Sequence, residues 1–311
     1  MDIQENIVNK VAQSGLVSLD LATIRPGGER VSYDIKENLF HGLMLREKDF
    51  REFIKTHDWS QYEGKHVAID YDATRAFFES RGKREYANVL SATMYQDHNA
   101  ELVEKRDQAE KAAMADILGL GQVQRILDIG CGTGRWGWYL ASNCQGLEYL
   151  GLDFSASLIE KAQREIVKRQ LAGLHFQVMS ATDIQPQALL LQAPFDLALI
   201  SGLLIYLNDA DCIKVLRDAA QLIVSGGGIY LREPVGVSER FTLDRFYSEE
   251  LADEYSAIYR TADELRKLMA QAFEGLGIFV EHEGFLFPEG LEKRAETRQY
   301  FFVLRRQGTE L

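Results

Sequence analysis

The sequence predicts an α/β fold: a mostly parallel sheet with helices on both faces, preceded by a small α+β segment. Three observations carry that expectation. Short aliphatic runs alternate with amphipathic stretches through most of the chain, the pattern of strands joined by crossover helices. Gly130, Gly132 and Gly134 stand between the run Ile126 to Ile129 and an amphipathic stretch, where a turn lets backbone approach whatever sits beyond the strand. Two late runs, Ile278 to Glu283 and Gln299 to Leu304, lie close together with no good helix between them. The sheet is therefore expected to end in an antiparallel pair.

The pattern changes near Asp70, which divides the chain into residues 1–70 and 71–311 with no Pro/Gly/Ser linker and no repeat. In the first part, Gln4 to Gln13 reads as a helix. Leu16 to Leu21 and Arg30 to Ile35 alternate as strands around a turn at Pro26-Gly27-Gly28. Glu47 to Thr56 is a second helix and His66 to Ile69 a short strand. In the second part, Gln96 to Leu118 reads as a charged amphipathic helix. Strands are expected at Arg125 to Ile129, Tyr149 to Leu152, His175 to Met179, Phe195 to Ser201 and Ile229 to Arg232. Helices at Ser155 to Gln170 and Asp209 to Ile223 fill the gaps, and Ser225-Gly226-Gly227-Gly228 turns into the fifth strand. Thr261 and Glu264 have the spacing of a capping box for a helix through Phe273. Residues 238–260 form an insertion rich in aromatics, with Phe241, Phe246, Tyr247, Tyr255 and Tyr259. It suits a lid over a small organic ligand, and an amphipathic helix on the domain edge would carry the same residues.

Composition narrows the function classes. The 311 residues are 46% hydrophobic and 26% charged, ordinary for a soluble globular protein. No apolar run approaches the ~18 residues that span a membrane, and the polar start MDIQENIVNKVAQSG is no secretory signal. Cys131, Cys144 and Cys212 lack metal spacing and are too few for a disulfide framework, so a reduced, cytoplasmic protein is expected. Asp34, His57, Asp58 and His66 have no ligand spacing either, and no metal is expected. The net charge of −12 speaks against nucleic acid as a partner. The one basic helical face, Lys161, Arg164, Lys168 and Arg169, is diluted by Glu160 and Glu165 and reads as a solvated surface.

Ligands of open α/β sheets sit beyond the carboxyl ends of the strands. Asp153, at the end of the second strand, can accept two hydrogen bonds from a ribose diol, and with the glycine turn it defines a nucleoside site. Two strings compete for the rest of the ligand. Gly132, Gly134 and Gly137 fit G-x-G-x-x-G, which a nicotinamide or flavin dinucleotide would satisfy. Asp128, Gly130, Gly132 and Gly134 read as D-x-G-x-G-x-G. An acid two residues before the first glycine suits a cationic amino-acid end and repels a pyrophosphate.

The second string resembles motif I of the class I S-adenosylmethionine (SAM) methyltransferases, and GLDFSASLIEKA resembles their next motif. The resemblance covers residues 71–311. It implies a Rossmann-like class I methyltransferase fold, with a seven-stranded mostly parallel sheet and an antiparallel last strand. It also implies SAM as cofactor, S-adenosylhomocysteine as product, and in-line methyl transfer to a small-molecule acceptor. RNA or protein methylation is the alternative, and a non-catalytic SAM- or nucleotide-binding regulator is the alternative of another class. Residues 1–70 resemble the N-terminal part of an uncharacterised bacterial family, and that segment is a candidate for homodimer formation.

The implied cofactor residues are Asp128, Gly130, Cys131, Gly132, Gly134, Asp153, Phe154, Thr182, Asp183, Ser201 and Gly202. Methyl transfer from a sulfonium needs alignment more than acid–base help. A base is required only for a protonated acceptor, and Tyr206, His98 and Glu233 are the candidates. Arg232, Tyr255, Tyr259 and Arg260 are the candidate substrate residues, the arginines suiting an acceptor carboxylate.

Overall fold

The computed structural model describes residues 68–94, 99–248, 251, 253–292 and 297–308. The elements expected in residues 1–67, and His98, lie outside the described residues.

Helix α1 (Tyr71–Lys83) is started by Asp70, whose side chain accepts from the Asp72 and Ala73 amides, the usual way of satisfying orphan donors at a helix start. The sequence reading had no helix here. Helix α2 (Ala100–Met114) begins four residues later than the expected start, because Asn99 caps it by accepting from the Leu102 amide. Then β1 (Arg125–Ile129), α3 (Arg135–Asn143), β2 (Glu148–Asp153), α4 (Ala156–Arg169), β3 (Leu174–Val178), β4 (Phe195–Ser201), α5 (Asp209–Leu222) and β5 (Ile223–Gly236) alternate as read. Ser155 caps α4 from the Leu158 amide. Strand β5 absorbs the expected Ser225–Gly228 turn into a continuous strand, in which Gly226 takes a φ of +78°.

The insertion is neither a helix nor a loop. It folds as a hairpin of β6 (Phe241–Ser248) and β7 (Asp253–Tyr259), paired antiparallel. Helix α6 (Ala262–Ala272) follows, with both halves of the Thr261/Glu264 capping box formed. The chain closes with β8 (Ile278–Phe285) and β9 (Thr297–Arg306).

The main sheet has the order β3-β2-β1-β4-β5-β9-β8. Strands β1 to β5 run parallel, and β9 runs antiparallel to both β5 and β8. Alternation along the strands splits the core in two. Leu127, Ile129, Leu150, Leu152, Ala198 and Ile200 pack with α5 and α6 through Val215, Leu216, Leu268 and Met269. Ile126, Tyr149, Leu197, Leu199 and Tyr230 pack on the other face against Val103, Trp136, Leu140 and Ile159 of α2, α3 and α4. Asp128 interrupts the apolar run of β1 while staying fully buried. A charge in that position calls for a partner.

Candidate functional site

The turn after β1 is stitched to β2: the Gly130 and Cys131 amides both donate to the Leu152 carbonyl, at 2.8 and 2.9 Å. At Gly132, φ is +55°, and a Cβ there would lie 2.8 Å from Thr93 Cγ2. Glycine is therefore required by conformation and by space together. Its amide donates to Asp153 Oδ2 at 2.9 Å, and the Ser155 amide donates to Oδ1 at 2.9 Å. Each oxygen keeps acceptor capacity for a further donor, as recognition of a diol needs. Burial pushes the Asp153 carboxyl up to about 6, against the pull of these two amides.

Asp128 accepts from the Tyr149 hydroxyl at 2.5 Å. Burial pushes its carboxyl up to about 6 as well, opposed by that hydrogen bond and by the Arg135 charge. Among the described residues, neither Asp128 nor Asp153 has an ion pair within 4 Å. Both line one cavity of about 610 Å³, within the range of small-molecule sites.

The cavity has an aromatic side and a charged side. On the aromatic side, Phe78 of α1 meets Phe154 edge-on at 5.8 Å and Tyr206 edge-on at 5.0 Å, with Arg75 5.7 Å above Phe154. Tyr255 and Tyr259 of β7 also line it. On the charged side, buried Glu110 of α2 accepts from Arg135 Nη1 at 2.7 Å, the Tyr230 hydroxyl at 2.9 Å and Arg232 Nε at 3.2 Å. Burial alone would raise the Glu110 carboxyl, but Arg135 and Arg232 outweigh it and hold it at about 2. Arg135 also donates to Asp107 at 2.9 Å and to Ser201 Oγ at 2.8 Å.

Most of the site residues read from the sequence meet at this cavity: Asp128, Gly130, Cys131, Gly132, Asp153, Phe154, Thr182, Ser201, Gly202, Tyr206, Arg232, Tyr255 and Tyr259 all line it. Four do not. Gly134 starts α3 with a φ of +84°, packed so that a Cβ would sit 2.5 Å from Phe176 Cζ. Its role is to turn the chain. Asp183 is exposed and accepts from the Gln185 side-chain amide at 2.6 Å, outside the cavity. Glu233 points to the opposite side of β5 and accepts from the Leu203 and Leu204 amides at 2.9 Å and the Ile205 amide at 3.4 Å. That carboxyl holds the turn after β4 and has no access to an acceptor. Arg260, expected at the substrate, donates instead to the Leu204 and Leu207 carbonyls at 2.8 and 2.7 Å and pairs with Asp209. Glu233 and Arg260 thus clamp the turn that carries Tyr206 from its amides and its carbonyls.

Sequence reading missed α1 entirely, and with it Tyr71, Arg75 and Phe78. It also missed Arg106, Glu110 and Arg135 on the charged side. A signal was present in α2, where Arg106, Asp107, Glu110 and Lys111 recur at helical spacing on one face. Such a stripe reads as solvated surface, and only the fold shows it to be buried.

The order of the sheet, with β9 antiparallel between β5 and β8, is that of the class I SAM-dependent methyltransferase fold. Residues 126–227 match the family model described as a methyltransferase domain. Residues 5–118 match one described as a protein of unknown function, DUF2480, so that similarity runs past residue 70. Over 63 residues the chain is 41% identical to a demethylmenaquinone methyltransferase of Lactiplantibacillus plantarum, covering 20% of this chain and 26% of that protein. The chain spans about a quarter to a third of the length of the curated relatives it matches. Among solved structures, it is similar to a SAM-dependent methyltransferase of Leishmania major, with TM-score 0.55, 18% identity, and 85% of this chain and 93% of that one covered. It is also similar to the [4+2]-cyclase SpnF, with TM-score 0.53, 16% identity, and 78% and 100% covered. Residues 126–227 are thus similar to a methyltransferase domain, and the sheet that contains them has the class I fold. Among the described residues, no helix is long and apolar enough to cross a membrane.

Proposed function

We propose that this chain is a SAM-dependent methyltransferase acting on a small-molecule acceptor in the cytoplasm. One observation carries the reading: two buried carboxylates, Asp128 and Asp153, face one cavity across a glycine turn with no cation among the described residues paired to either. A ligand with a hydroxyl pair for Asp153 and a cationic end for Asp128 supplies what both lack. A dinucleotide phosphate near Asp128 would add a repulsion. SAM, when bound, supplies a methyl group already activated on a sulfonium.

The chain's own residues then have limited tasks. Asp153 and the Gly132 turn hold the nucleoside, and Asp128 holds the ammonium directly or through water. Phe78, Phe154 and Tyr206 close the apolar side and exclude water. The remaining space, toward β5 and β9, holds the acceptor in line with the methyl group. Of the three candidate bases, Glu233 is committed to backbone amides and His98 lies outside the described residues. Tyr206 lines the cavity and is the group proposed to face the acceptor.

A cavity of small-molecule size and the charge of −12 favour a small molecule over RNA or protein. A cyclase on the same fold makes a turnover measurement essential. Thermal-shift titration with SAM, S-adenosylhomocysteine and NAD tests the cofactor, and transfer from labelled SAM to a panel of metabolites tests the reaction. Stabilisation by NAD alone overturns the proposal. Tight SAM binding with no transfer to small molecules, RNA or protein assigns a regulator.

A further inference from the structure

The charged side of the cavity contains two guanidinium groups that are only partly used. Arg106 of α2 donates through Nη1 to the Leu291 carbonyl and lies 3.5 Å from Glu292 by the same nitrogen. Its plane is held over the Phe287 ring, 4.5 Å from the centroid. Arg232 of β5 uses Nε for Glu110 at 3.2 Å and Nη1 for Gln299 at 2.9 Å. Among the described residues, Arg106 Nε and Nη2 and Arg232 Nη2 make no hydrogen bond, although the Glu110 charge also acts on Arg106 and the Glu233 charge on Arg232. None of the three nitrogens is sealed from solvent, and both side chains line the cavity. The unused pair on Arg106 is the Nε–Nη2 edge, the fork whose geometry matches the two oxygens of a carboxylate.

Arg106, Lys111, Arg135 and Arg232 face Asp107, Glu110 and Glu292 at this corner, and Asp128 and Glu233 also act on Arg135 and Arg232, so it is the unused guanidinium edges and not a surplus of charge that would receive an anion. Position separates the corner from the cofactor's proposed place. Asp153 ends β2 and Asp128 lies on β1, whereas Arg232 lies on β5 level with the end of β4 and Gln299 lies near the start of β9, on the far side of β4. From β2 to β5 is three strand spacings, about 14 Å. A ligand anchored on β2 and β1 leaves the β5–β9 corner to the second substrate.

We propose that the acceptor is a carboxylic acid, and that its carboxylate seats on the Nε–Nη2 edge of Arg106 with Nη2 of Arg232 as a third donor. The inference rests on the methyltransferase reading above. The seat fixes the acceptor at one end, with the aromatic residues Tyr206 and Tyr259 left for its apolar body. It is a binding site and adds no chemical step.

The test uses the full-length chain saturated with S-adenosylhomocysteine, and 4-hydroxybenzoate, 4-hydroxyphenylacetate and 3-(4-hydroxyphenyl)propionate beside their methyl esters. Each pair shares its aromatic body and differs in charge. Affinity is read by calorimetry at pH 7.5. The expected result is that at least one acid binds tenfold or more tightly than its ester, and that the preference falls to within about threefold in Arg106→Gln. The wild-type comparison requires no variant to fold, and Arg106→Lys, which keeps the charge without the fork, is expected to recover only part of the preference. Equal binding of acids and esters, or absence of binding by any acid, overturns the proposal. Loss of S-adenosylhomocysteine binding in Arg106→Gln with 5′-methylthioadenosine binding retained also overturns it, by assigning the guanidinium to the cofactor's own carboxylate. Failure of the wild-type chain to bind S-adenosylhomocysteine is a different result and removes the methyltransferase reading itself.

Discussion

The Tyr149 hydroxyl of β2 donates to Asp128 of β1 at 2.5 Å, two residues before the glycine turn begins. This bond is the principal opposition to the burial that lifts the Asp128 carboxyl to about 6. If Asp128 holds the ammonium of SAM, it must be ionised to do so. Binding should therefore strengthen as pH rises through about 6 and level off above 7. Tyr149→Phe removes the donor that favours the charged form, so the inflection should move to higher pH. Calorimetric titrations with SAM between pH 5 and 8.5 check this. A Kd independent of pH in both proteins would remove Asp128 from the site.

Asp153→Ala should weaken SAM binding by about 1.5–3 kcal/mol, the usual worth of hydrogen bonds to a charged group. The substitution also orphans the Gly132 and Ser155 amides, which now donate to the two oxygens. Asp153→Asn keeps one acceptor for them and should lose less. Calorimetry on both variants separates the ligand's share from the turn's. An unchanged dissociation constant in the alanine variant would place the nucleoside elsewhere.

Glu233 offers a stability test. Burial pushes its carboxyl up to about 7, against the Leu204 amide, Arg232 and the other two amides. A carboxyl raised in the folded state contributes its full stability below the unfolded value near 4.5 and loses it as pH rises through about 7. The loss amounts to roughly 1.4 kcal/mol for each pH unit in that window. Asp128 and Asp153 act in the same direction up to about 6. The ligand-free protein should therefore be more stable to urea at pH 5 than at pH 7.5. Glu233→Gln should cost stability at pH 5 and flatten the slope between pH 6 and 7. An unaltered slope would show that Glu233 does not titrate there.

Strands β1, β2 and β4 were legible as largely apolar runs buried on both faces, whereas β3 is buried on one face, and β1 to β4 lie within a residue or two of their expected bounds. The glycine turn and both flanking acids were legible for a related reason: a positive φ and a buried carboxylate each restrict the residue to one or two types. The charged side was not. Glu110 and Arg135 lie 25 residues apart, and nothing local distinguishes their pairing from surface ions. Glu233 was read as a site residue because it follows a strand, and the rule locating ligands beyond strand ends does not say which side of the strand a residue points to; Arg260 was read as one because it belongs to the aromatic-rich insertion and could pair with a carboxylate, whereas its partner is Asp209. On β5, Arg232 faces the cavity and its neighbour Glu233 faces away.

Helix α1 forms part of the aromatic side only if it stays against α4. Gly82 is the contact: a Cβ there would lie 2.6 Å from Ser157 Cβ and 2.8 Å from the Leu158 amide nitrogen. The obstacle is backbone, which cannot swing aside. Gly82→Val should push α1 outward and strain the Ser157–Glu79 and Lys161–Arg84 hydrogen bonds. Binding of S-adenosylhomocysteine should fall at least fivefold while the sheet stays folded, as circular dichroism would show. Full affinity in Gly82→Val would mean that Phe78 and Arg75 do not enclose the ligand.

The last prediction concerns the division near residue 70. Ile69 donates its amide to Asn208 Oδ1 at 2.8 Å, and Asp70 caps α1, so a chain beginning at Ala68 keeps the cap of α1 and its tether to Asn208. If residues 1–70 are an accessory segment, that shortened chain should bind S-adenosylhomocysteine with unchanged affinity. Its oligomeric state or solubility should change, because the surface that the apolar faces read at Leu16 to Leu21 and Arg30 to Ile35 would pack on is then left uncovered. The similarity running from residue 5 to residue 118 points the other way. It takes in α1 and also α2, which carries Arg106 and Glu110. On that division the early segment and the charged side of the cavity form one unit, and removing residues 1–67 should loosen α2 and weaken binding. Calorimetry and light scattering on the shortened chain separate the two. A soluble chain with lost affinity would move the boundary to the far end of α2, and make the early segment part of the site.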